Sequence, residues 1–120
     1  MASGFIEQPY DLSFKYFTQP VFITSRAELS NGGYLWQGSI TVVNVKFKAI
    51  ATASNSPQVM LLSKTPRCEV ALSCIDITNG IENAIENSVP CGIGTDGKVY
   101  IKEITTDHIY AISGTYIADN

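Results

Sequence analysis

The 120-residue chain reads as all-β: an antiparallel β-sandwich of about eight short strands, with the jelly roll as leading topology, behind an extended N-terminal arm. Three observations predict this. From Cys91 the sequence runs CGIGTDGKVYIKEITTDHIYAISGTYIADN, in which strand-length runs are separated by Gly-Thr-Asp-Gly, Thr-Thr-Asp and Ser-Gly, each a turn signal. Between Ser39 and Ala53 hydrophobicity alternates with the period of a strand. A helical period occurs only in residues 80–88.

Taken in order, residues 1–18 carry Phe5, Ile6, Tyr10, Phe14, Tyr16 and Phe17 with no helical spacing. A free tail is polar and poor in aromatics, so this segment is expected to pack on something. It either folds back on its own domain or docks on a neighbouring molecule, and those six residues are the candidate docking contacts. Residues 19–25, QPVFITS, form a strand candidate, so 1–25 is read as arm plus first strand and 26–120 as the β-sandwich domain. Asn31-Gly32-Gly33 reads as a turn. The strand that follows places Thr41, Val43, Val45 and Phe47 on one face and Ile40, Val42, Asn44, Lys46 and Lys48 on the other. The second face passes from apolar to charged, which predicts an end covered on both sides and an end half open to water. Ser54-Asn55-Ser56-Pro57 closes this strand, Val59–Leu62 is a short apolar one, and Cys68–Asp76 follows the break at Pro66. In residues 80–88, Ile81, Ala84 and Ile85 fit either two helical turns capped by Asn79 or a looping connection. Lys98–Ile104, His108–Ser113 and Thr115–Ala118 complete the meander.

Composition excludes several classes of function. Net charge is −3 with a pI of about 4.9 and no Lys/Arg cluster, so a phosphate-neutralising nucleic-acid surface is not expected. No apolar run approaches the ~20 residues that span a bilayer, and MASGFIEQPYDL lacks the basic and apolar regions of a secretory signal. The expectation is synthesis in the cytoplasm with no membrane partner. Charged residues are 16%, against the usual share of about 25%. The surface must then be built from Thr, Ser, Asn, Tyr and Gly, which suits contacts between subunits.

The chemistry-bearing residues do not assemble a motif. His108 is the sole histidine, and Asp107 beside it would point to the opposite face of a strand. Glu82 and Glu86 read as a solvated face, and Asp76, Asp96, Asp107 and Asp119 as turn or terminal residues. There is no CxxC and no phosphate loop, and Gly92-Ile93-Gly94 opens onto a strand and not a helix, so these glycines lack the setting of a dinucleotide fingerprint. If Cys68–Asp76 is one strand, Cys68 and Cys74 stand ~20 Å apart, too far for a disulfide, and share a buried face with Val70 and Leu72. No catalytic, cofactor-binding or metal site is expected, and the chain reads as a non-enzyme; a cupin-like or hydrolase enzyme is the outlying alternative. Tyr34 and Trp36 alternate on one strand face and could stack a sugar ring, or Trp36 could anchor the core.

Ile93 to Ile101 (IGTDGKVYI), followed by Tyr110 to Ile117 (YAISGTYI), resembles the closing strands of small trimeric jelly-roll heads, of the C1q/TNF-like kind, on tailed-bacteriophage virions. Val59–Leu62, Pro66 and the next strand resemble the middle of such heads, so the likeness covers residues 36–118. It implies a homotrimeric virion structural protein with no catalytic residue. Since about twenty-five residues precede the head instead of a long shaft, it implies a capsid-decoration or head-fibre protein. Such a protein would dock by its N-terminal arm on another virion protein, stabilising the particle or displaying a surface for host attachment. The alternative it leaves is a receptor-binding fibre tip or adhesin that takes a host surface glycan through Tyr34 and Trp36.

Overall fold

The computed structural model describes residues 18–83 and 86–120. They form eight strands: β1 (Val21–Phe22), β2 (Ala27–Gln37), β3 (Ile40–Ala49), β4 (Gln58–Leu61), β5 (Val70–Asp76), β6 (Cys91–Ile93), β7 (Lys98–Ile101) and β8 (Ile109–Ile117). All pair antiparallel in the order β1-β4-β7-β6-β5-β8-β3-β2. Among the described residues there is no α-helix; Ile81–Asn83 is a single 3₁₀ turn.

Two features wrap this sheet around one core. Strand β5 changes partner along its length: Val70–Leu72 pair with β6, whereas Ser73–Asp76 pair with β8. A strand that hands the ladder from one neighbour to the other makes a corner. On the far side Thr18 and Tyr34 exchange backbone hydrogen bonds of 2.9 and 2.8 Å, nearly closing the sheet beside β1. The predicted all-β class and strand number hold, and the sheet is nearly closed on itself.

Alternation along β3 gives the core its inner wall. Thr41, Val43, Val45, Phe47 and Ala49 are buried, as expected, and Phe47 stacks on Tyr110 of β8 at 5.4 Å and meets Phe22 of β1 at 5.9 Å. Phe47 thereby ties the β3–β8 half to the β1–β4 half.

Four local expectations are corrected. Asn31-Gly32-Gly33 is not a turn but the middle of β2, where the register slips between Leu29 and Asn31. The extra residue is Ser30; past it Gly32 pairs with Val45 at φ +87°, and its absent Cβ would stand 2.1 Å from the Asn44 carbonyl oxygen. Ser113-Gly114 does not divide two strands; both lie inside β8, and Gly114 is small because a Cβ there would meet Leu72 at 2.5 Å. The strand expected from Cys68 begins at Val70, since Pro66 bridges to Ala118 and the chain bends at Arg67–Cys68; Cys68 is exposed, off the buried face. The long strand ends at Ala49, where Ala49 N donates to His108 O, short of Ala53. By contrast Gly-Thr-Asp-Gly is the expected hairpin turn: Gly97 N donates to Gly94 O, and the Asp96 carboxylate accepts the Lys98 N–H.

Candidate functional site

The outer face of the β2–β3–β8 layer carries the feature with most reach. Ile40 is paired directly with Ile117, and Val42 with Leu35 and Thr115. In a strand, neighbours opposite one another on one face touch, so Leu35, Ile40, Val42 and Ile117 form a single apolar strip. Ile40 is 50% and Ile117 53% exposed, and Val42 is also open to water. Along β3 the strip gives way to Asn44, Lys46 and Lys48, the last paired with Asp107 at 3.7 Å. The predicted gradient from apolar to charged is present, but its apolar end, expected to be covered, is open. Ordinary domains cover adjoining branched aliphatic side chains of this kind, because burying each contributes about 1.5–3 kcal/mol.

The Tyr34–Trp36 pair is placed differently from a sugar platform. Both rings point inward and their centroids are 5.9 Å apart. Tyr34 is only 2% exposed; its hydroxyl lies 2.8 Å from Ser63 Oγ and accepts the Ser63 N–H. Trp36 is half-buried against the core, with the Lys64 ammonium 5.1 Å from its ring. Two faces open to a pyranose are therefore not available, and the rings instead hold the Ser63–Thr65 loop. Tyr116 donates to Lys64 O, and the Asn120 side chain accepts from Thr65 and donates to Ser63 O. Burial, then the neighbouring Tyr34, pushes the Tyr116 hydroxyl pKa up, so it stays a donor.

His108 has a partner that local reading does not supply. Its Nδ1 lies 2.6 Å from Asp76 Oδ2, across the β5–β8 pair, while Asp107 faces Lys48. Asp76 Oδ1 accepts from Thr78 N and Thr78 Oγ1, and that hydroxyl accepts the Ile109 N–H. Burial opposes charge on Asp76, but the hydrogen bonds from Thr78 and His108 outweigh it and hold its pKa below the usual carboxylate range. A depressed folded-state pKa adds stability above the unfolded pKa, which is lost as pH falls through the folded one. Asp76→Ala is thus expected to destabilise the chain by about 1–3 kcal/mol near neutral pH. That gap should narrow as pH falls from the unfolded value of about 4 through the lower folded-state pKa, where the wild-type carboxylate takes up its proton; urea titrations of both proteins across this range measure it. The neighbouring hollow is lined by Ser88, Lys102, Glu103, Thr105 and Tyr110, and among the described residues no hydroxyl or thiol is hydrogen-bonded to His108.

The aromatic arm residues Phe5, Ile6, Tyr10, Phe14, Tyr16 and Phe17 lie outside the described residues. Among the described residues no three His, Cys, Asp or Glu side chains converge as a metal would require, and no helix is long and apolar enough to cross a membrane. The chain matches no family model, no curated protein and no solved structure.

Proposed function

We propose that this chain is a non-enzymatic virion structural protein of the capsid-decoration or head-fibre kind, a β-domain that works by associating with copies of itself and with a neighbouring virion protein. One observation carries the associating role: the open strip of Leu35, Ile40, Val42 and Ile117, set on rigid paired strands. Its occupant is a second copy of the chain. The strip is rimmed by Gln37, Ser39 and Thr115, uncharged polar groups that identical surfaces can bring together without repulsion. Copies arranged in a closed ring would bury the strip and shield the edge of β2. The virion setting, the trimer and the jelly-roll topology rest on the likeness of residues 36–118 to phage heads, and the arm's docking on a second virion protein rests on its aromatic content. The glycan-binding alternative has no comparable support, since Tyr34 is enclosed.

Sedimentation tests the role of the strip. The wild-type chain is expected to run as an oligomer, and the double variant Ile40→Lys/Ile117→Lys as a folded monomer with an unchanged far-ultraviolet spectrum. A wild-type monomer at every concentration, or a double variant that still associates, would refute it.

A further inference from the structure

Cys74 and Cys91 lie on neighbouring strands. The register sets Leu72 opposite Cys91, and Val89 N donates to Cys74 O, so the two cysteines are diagonal neighbours on one face of the β5–β6 pair. Their thiols lie close enough to influence one another's charge. Diagonal positions in a sheet have Cα atoms about 7–8 Å apart with Cβ atoms closer, so a disulfide requires the two backbones to approach slightly. The remaining movement falls on β6, a three-residue strand that starts at Cys91 directly after Pro90. Access is one-sided. Cys74 is 2% exposed, whereas Cys91, packed against the core beside Leu72 and Ile101, is only half-buried.

We propose that Cys74 and Cys91 form a redox-modifiable pair, in which a low-molecular-weight disulfide oxidises the two thiols to an intrachain cross-link between β5 and β6. Cys91, the accessible partner, loses its proton and attacks one sulfur of the small disulfide. The small S–S bond breaks, a protein–small-molecule mixed disulfide forms, and one small thiol leaves. Cys74 then gives up its proton and attacks the Cys91 sulfur, expelling the second small thiol. Two protein thiols and one small disulfide become one protein disulfide and two small thiols. The order is set by the surroundings: the adjoining Cys91 thiol and burial raise the Cys74 pKa, so Cys74 is the inert thiol until Cys91 has been derivatised. Exposed Cys68 stands outside the pair and can form only a mixed disulfide with the small molecule, not the cross-link.

The test is incubation of the full chain with oxidised glutathione, followed by a free-thiol count, intact mass and peptide mapping. The chain has three cysteines. The expected product has lost the mass of two hydrogens within the Cys74–Cys91 pair, is restored by reductant, and forms equally in Cys68→Ser. Cys91→Ser should give no such product. A stable glutathione adduct on Cys91 without cross-linking, two thiols at Cys74 and Cys91 that stay reduced, or a cross-link that runs through Cys68 would each overturn the proposal.

Discussion

Phe47→Ala is expected to cost about 3–5 kcal/mol of stability, a large share of the roughly 5–15 kcal/mol of a domain this size. The ring is fully buried on the inner face of β3. Its removal costs the transfer energy of the lost atoms, and a cavity remains because the surrounding strands are paired on both sides and cannot close in. It also removes two aromatic contacts, to Tyr110 and Phe22, worth about 0.5–1.5 kcal/mol each. The effect should be global, because Phe22 belongs to the β1–β4 half and Tyr110 to the β8 half. The melting temperature should fall by roughly 10 °C or more. Val42→Ala, five residues earlier and on the opposite face, is the control: an exposed substitution of this kind stays within about 0.5 kcal/mol unless a partner covers the site. Equal losses in the two variants, measured on the dissociated chain, would mean that the faces of β3 are assigned the wrong way round.

That assignment was open to sequence reading because a strand writes its faces into every second residue, and Thr41 to Phe47 obey the rule without exception. Gly-Thr-Asp-Gly was equally legible, since a four-residue turn is settled by its own residues. Glycines inside strands were not. The same letter serves a turn, a bulge or a close contact, and only the neighbouring strand decides: Asn44 for Gly32, Leu72 for Gly114. The Asp76–His108 contact spans 32 residues and two strands, so no local signal marks it. Cys74 and Cys91 are invisible in the same way until register brings them together. The apolar strip was half legible. Its side chains read as covered, but whether the cover comes from this chain or from another molecule depends on tertiary packing that alternation does not encode.

Gly97→Ala should reveal how tightly the β6–β7 turn is held. Gly97 sits at φ +85°, a conformation that favours glycine, and the substitution carries about 1–3 kcal/mol for that alone. Space adds a second cost. A Cβ at this position would lie 2.2 Å from the Leu62 carbonyl oxygen and 3.3 Å from the Thr65 side chain. The backbone cannot swing aside cheaply, because Leu62 N donates to Gly97 O at 2.9 Å and Gly97 N donates to Gly94 O at 3.0 Å. Relieving the overlap breaks one of these bonds or displaces the end of β4, so the total is about 3–5 kcal/mol. Gly80→Ala separates the two terms. Its φ of +92° is just as unfavourable for alanine, yet among the described residues nothing lies within 4 Å of the added carbon. Gly80→Ala should therefore lose only the conformational part, and the difference between the two denaturation midpoints reads the contact of Gly97 with Leu62. If the two variants were equally destabilised, the turn would not be pressed against β4, and the packing of the β4–β7 pair would have to be redrawn.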